Sequence, residues 1–222
     1  MKHLLKLSVF LVAGLLTVSS CKKEKEQDPE PPPELEGIVI YGVRWATCNV
    51  DMPGTFATNP EDAGMFYQWN RKVGWSSTDP MVNSDGGTKW DNTYPPGDWN
   101  PENDPCPLGW RMPTMKELQG LGTAKRQFGE LNGVPGCFFG DNSNRLFLPA
   151  VDSRDELSGV FNSGGIKFRN CGYYWGSSVD FAYNAFILAF NYDSNYMATG
   201  YGDRRAGLCV RCVAAENKSA HQ

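Results

Sequence analysis

Apolar residues in this chain come in short runs separated by long polar stretches. IVIYGVRWA (38–46) is β-branched and aromatic, and RLFLPAV (145–151) is a brief apolar run. YYWGSS (173–178), AFILAFN (185–191) and GLCVRCVAA (207–215) follow the same style. Runs of this length, bounded by turn-forming residues, predict strands. The last three lie close together, as an antiparallel meander requires. Long helical periodicity is nearly absent. One helix is marked by local chemistry instead: Thr114 and Glu117 form a capping box, Pro113 and Leu118 supply a hydrophobic staple, and Gly122 ends it. NPEDAG (59–64) can begin another helical turn. The pattern predicts an α+β fold of short antiparallel strands, one or two short helices and long loops.

The first 36 residues follow different rules. Lys2 and Lys6 precede an apolar run from Leu7 to Val18, which is too short for a membrane span and fits the central region of a secretory signal. Val18-Ser19-Ser20-Cys21 has the small-small-Cys form of a bacterial lipobox. Residues 1–20 are therefore expected to be a lipoprotein signal peptide, and Cys21 the residue that takes lipid, diacylglycerol with palmitate-type chains. KKEKEQDPEPPPELE (22–36) has almost nothing apolar to bury and predicts an extended tether over 21–36. Lys22 stands where an aspartate would signal inner-membrane retention. The expected location is the outer membrane, lipid-anchored and surface-exposed. A globular domain over 37–215 and a frayed tail over 216–222 complete the layout.

Charge narrows the partners. Losing residues 1–20 removes Lys2 and Lys6 and no acid, so the formal net charge moves from −4 to −6. No basic cluster remains past the start of the tether, which argues against nucleic acid. Six cysteines stay in the mature chain: Cys48, Cys106, Cys137, Cys171, Cys209 and Cys212. An even number in an exported chain predicts disulfides, and six thiols allow fifteen pairings. Cys209 and Cys212 are three apart in one predicted strand and face opposite sides. The two histidines are His3 and His221, one in the leader and one in the tail, so a zinc site has no ligands to draw on.

CPLGWRMPT (106–114) followed by KELQGL, then LFLPAVDSRD (146–155), YYWGSS (173–178) and GLCVRCV (207–213), occur in that order. Together with VRWATCNVDMPGTFATNPEDAGMFYQWN (43–70), they resemble the Fibrobacter succinogenes major paralogous domain family, in the form found in surface lipoproteins of Bacteroidota. The resemblance implies a C-type-lectin-like fold, in which the first and last strands meet. It also implies a bridge between Cys106 and Cys212, closing a loop of roughly 100 residues for up to about 4–5 kcal/mol. Cys48, Cys137, Cys171 and Cys209 depart from the usual family pattern; the neighbouring N- and C-terminal strands suggest Cys48 with Cys209, and elimination leaves Cys137 with Cys171.

Candidate chemistry concentrates in the 75–105 loop. It holds Trp75, Trp90, Tyr94 and Trp99 among Asp91, Asn92, Asp98 and Asn100. Long irregular loops are often functional. Aromatic faces beside amides and carboxylates suit sugar stacking, and equally suit protein contacts. The alternative is a loop whose tryptophans pack under itself. Trp45, Trp69, Trp110 and Trp175 read as core, with Arg111 as a brace. DWNPEND (98–104) offers oxygens for calcium, but it precedes the helix, and 191–205 carries Asp193, Asn195 and Asp203 with no calcium motif. No metal or cofactor is expected. Ser177-Ser178 lacks a nucleophile elbow and a usable histidine. Sulfatase-modifying enzymes, related to the same fold, use reactive cysteines, for which Cys209 is the position to inspect. The expected function is non-catalytic binding or adhesion at the cell surface toward a glycan or protein. The alternatives are an accessory subunit of a surface appendage or lipoprotein complex, and such a cysteine enzyme.

Overall fold

A computed structural model describes residues 36–95, 97–141, 144–161 and 169–215. The expected signal peptide, Cys21, nearly all of the tether and the tail lie outside the described residues. The elements in chain order are β1 (Ile38–Ile40), β2 (Val43–Trp45), β3 (Phe66–Tyr67), β4 (Gly74–Trp75), a 3-10 turn (Pro101–Asn103), β5 (Trp110–Arg111), α1 (Met115–Thr123), β6 (Arg126–Leu131), β7 (Val134–Phe139), β8 (Leu146–Pro149), β9 (Cys171–Phe181), β10 (Asn184–Asn191), β11 (Tyr196–Asp203) and β12 (Val213–Ala214). The fold is thus α+β and rich in antiparallel sheet. No helix among the described residues is long and apolar enough to cross a membrane.

The centre is the sheet β11-β10-β9, with β10 in the middle. NAFILAFN alternates two apolar sets because successive side chains of a strand leave on opposite faces. Phe186, Leu188 and Phe190 join Leu118, Leu121 and Tyr174 in one cluster. Ala185, Ile187 and Ala189 lie with Trp69 and Trp175 in another. The sheet is buried on both faces, with α1 packed against β9, β10 and β11. Gly172 permits this packing: a Cβ there would stand 2.2 Å from the Phe190 ring.

α1 forms where its capping box predicts. The Thr114 hydroxyl accepts from Glu117 N–H, and the Glu117 carboxylate accepts from Thr114 N–H at 2.7 Å. Arg111 grips the same carboxylate at 2.7 and 2.9 Å, which makes it the expected brace. A second sheet, β6-β7-β8, begins with a hairpin turned by Asn132 and Gly133, both at positive φ (50° and 83°). Asn-Gly is the dipeptide that tolerates this turn best, and it marks the hairpin in the sequence.

The expected meander is corrected in its third strand. β9 and β10 pair as expected, but the next partner is β11, not residues 207–215. Residues 207–215 run through isolated bridges to Tyr67, Arg154 and Tyr174, and end in β12. NPEDAG is a turn rather than a helix, closed by Asn59 N–H donating to Asp62 Oδ2 at 2.8 Å.

The four-stranded sheet β1-β2-β12-β5 brings the two ends of the domain together. Cys106, just ahead of β5, is bridged to Cys212, just ahead of β12, with Cα atoms 6.1 Å apart. This bridge fastens the approach to α1 onto the closing strand. The other two expected bridges are not formed: Cys48, Cys137, Cys171 and Cys209 are free. Cys209 is sealed in the core with Tyr174, whereas Cys48 is half-exposed. Between them Arg211 binds the Ala46 and Thr47 carbonyls and Asn49 Oδ1. Cys137 opposes Leu148 across β7–β8, and Cys171 opposes Asn191 across β9–β10. Each side chain is committed to a different sheet.

Candidate functional site

The 75–105 loop folds back on itself. Trp75 and Trp90 are both buried, their ring centroids 4.9 Å apart. Trp90 Nε1 donates to Glu156 O at 3.2 Å. Trp99 is half-buried against Trp69 at 5.5 Å. The tryptophans are therefore the loop's own core, and Trp75 and Trp90 offer no face to a ligand.

The loop's polar residues split between structure and surface. Gln68 donates to Asp91 O and Arg205 O, at 2.6 and 2.8 Å. Arg154, almost fully buried, donates to Ser76 O, Thr78 O and Gly159 O at 2.6–2.7 Å. Asp91 accepts from Thr93 and pairs with Arg71 at 2.8 Å. Asn100 Oδ1 caps the 3-10 turn through Glu102 N–H. Asp104, in the stretch with oxygens suited to calcium, accepts from the N–H groups of Cys106 and Met112, both at 2.9 Å. Asn92 is exposed. Among the described residues no group of three or more His, Cys, Asp or Glu is placed to hold a metal ion.

Two of the predicted residues, Tyr94 and Asp98, meet partners that the sequence reading did not include. With Pro95 and Gly97 they form one wall of an open cleft of about 560 Å³. The other wall is the tip of the β9–β10 hairpin, Val179, Asp180, Ala182 and Tyr183, and Arg204 lies beneath. Phe181 pairs with Asn184, so Ala182 and Tyr183 make a two-residue turn. Tyr183 is 60% exposed at that turn. Its ring lies 4.7 Å from the Tyr94 ring. A large aromatic at a hairpin tip, between two strand patterns, is the signal in the sequence for this half of the site.

Arg204 sets the cleft's shape. It is only 2% exposed, with its guanidinium 4.2 Å from the Trp69 ring. It donates to Ala182 O at 3.0 Å, and to Pro95 O and Gly97 O at 2.8 Å each. One planar cation thus ties both walls together. Burial presses it toward the neutral form, and the charge of Asp98 opposes that pressure.

Tyr94 is held as firmly. Its hydroxyl donates to Asp203 Oδ2 at 2.9 Å, and Arg205 lies 4.2 Å over its ring while gripping Asp203 at 2.7 Å. Loss of solvation, then the hydrogen bond and charge of Asp203, raise the Tyr94 phenol above its ordinary value. Burial alone would raise Asp203, but Arg205 and Tyr94 outweigh it and hold the carboxyl below the usual range. At neutral pH the phenol keeps its proton and the carboxylate its charge. The cleft is a fixed surface of tyrosine faces and carboxylates, suited to stacking and hydrogen bonding.

Cys209, the position an enzyme of the sulfatase-modifying type would use, lies fully buried in the core. Burial pushes its thiol up to about 12. Comparison with known proteins finds no matching family model, no matching curated protein and no matching solved structure.

Proposed function

We propose that this chain is a non-catalytic, lipid-anchored surface protein that binds a glycan in the Tyr94–Tyr183 cleft. The carrying observation is the exposed Tyr183 ring beside Asp98 and Asp180, on walls locked by Arg204. A sugar stacks its C–H face on such a ring and donates hydroxyls to the carboxylates. The binding surface moves from the buried tryptophans to the rim of the same loop, and no contact is routed through a metal. The buried Cys209 supports a structural rather than a catalytic role for that cysteine.

The anchor and location rest on the leader and on Val18-Ser19-Ser20-Cys21. In this reading Cys21 carries lipid and the domain stands on the outer membrane, on its outer face. Membership of the Fibrobacter succinogenes major paralogous domain family, with its C-type-lectin-like fold, is part of the proposal. The Cys106–Cys212 bridge and the meeting of first and last strands support it.

The test is a glycan array probed with the full chain in mild detergent, beside Tyr183→Ala. Specific signal lost in the variant supports the reading, provided both proteins melt at the same temperature. A blank array across neutral, acidic and amino sugars overturns it.

A further inference from the structure

The cleft's accessible chemistry is one-sided. The side chains of Asp98 and Asp180 make no hydrogen bond or close ion pair among the described residues, and the buried Arg204 feels the charge of Asp98. Asp98 is exposed and Asp180 half-exposed. Both are acceptors only when ionised. Of the donors around them, the two arginines and the Tyr94 hydroxyl are spent. Arg204 gives its terminal nitrogens to Ala182, Pro95 and Gly97, and its Nε is sealed from water without a partner. Arg205 is bound to Asp203, and the Tyr94 hydroxyl donates to Asp203. The exposed Tyr183 ring lines the same cleft as Asp98 and Asp180, and an aromatic face attracts a cation.

A ligand carboxylate would bring only acceptors to this place and meet like charge. A neutral hydroxyl would satisfy one carboxylate lone pair and leave the single negative charge by which Asp98 and Asp180 exceed Arg204 uncompensated. A protonated amine supplies three donors and the missing charge, and it sits well over a tyrosine face. We infer that the sugar bound in the Tyr94–Tyr183 cleft carries a free, protonated amino group, held by Asp98 and Asp180 over the Tyr183 ring. The inference rests on the glycan reading and deepens it to a ligand class: amino sugars that are not N-acylated.

The experiment is calorimetric titration of the full chain in mild detergent with three oligosaccharides of equal length. These are a β-1,4-linked glucosamine oligomer, its N-acetylated counterpart and an oligogalacturonate. The glucosamine oligomer binds, and N-acetylation weakens it by about tenfold or more. Asp180→Asn and Asp98→Asn each weaken the amino sugar by about tenfold and the acetylated one by much less, so the preference for the amine collapses. Affinity for the amino sugar falls as pH rises through the amine's own pKa. Equal affinity for the acetylated oligomer, or preference for the oligogalacturonate, overturns the inference while leaving glycan binding intact. Binding of none of the three, with the array also blank, overturns both.

Discussion

Trp75 and Trp90 pack ring against ring at 4.9 Å beneath the loop that contains them. Glycine at position 159 lets Trp90 lie close, since a Cβ there would stand 2.6 Å from the indole. Trp90→Ala therefore opens a cavity and costs about 3–5 kcal/mol. Tyr183→Ala removes an exposed ring and changes stability by less than about 0.5 kcal/mol. Denaturant melts of both variants check the pair. Equal effects would show that the loop's tryptophans are not its core.

Thiol reactivity gives a count. In a Cys21→Ser chain, one thiol, Cys48, reacts quickly in the native state, and four react in denaturant. Cys137, Cys171 and Cys209 are buried, and burial pushes Cys137 and Cys209 up to about 12. A native protein with no reactive thiol would mean that Cys48 is bridged after all.

Arg204 clamps Pro95, Gly97 and Ala182. Arg204→Met strands three carbonyls and costs about 2–4 kcal/mol. Arg204→Lys recovers only part of the loss, because an ammonium does not reproduce the planar fork. Ligand affinity falls in both variants, although neither touches an exposed atom of the cleft. Thermal melts and titrations on the same samples separate the two effects.

Glu117 makes stability depend on acid. Its burial favours the neutral form, but hydrogen bonds from Arg111 and Thr114 outweigh this and hold its carboxyl below the ordinary value. The folded state thus prefers the ionised group. That contribution is complete above the unfolded pKa, about 4.3, and is lost as pH falls through the folded one. Glu117→Gln is destabilised relative to wild type at pH 7, and the gap narrows below about pH 4. Denaturant midpoints of both proteins across that range read it out.

What the sequence made legible was local. α1 was legible because a capping box is written in four consecutive residues. β10 was legible because its apolar run is buried on both faces. β11 was not: YMATGYGD has no alternation and is strand because β10 offers it a partner. The cleft joins Tyr94 to Tyr183 across about half of the domain's sequence, and no pattern within either segment announces the other. The Cys48–Cys209 expectation failed for a related reason: Cys48 lies in a bend beyond β2, and Cys209 bridges to Tyr174 instead, so the two are not on paired strands.

Ile38 of β1 and Val213 of β12 are both paired to Trp45. Adjacent strands lie about 4.8 Å apart, so the two ends of the domain are separated by roughly 10 Å. The polypeptide is nearly a closed ring. A linker of a few residues would join its ends, and the Asn132-Gly133 turn offers a place to reopen it. A circular permutant cut there keeps the central sheet, the Cys106–Cys212 bridge and the cleft intact. The order in which the chain is read can change while the architecture stays the same.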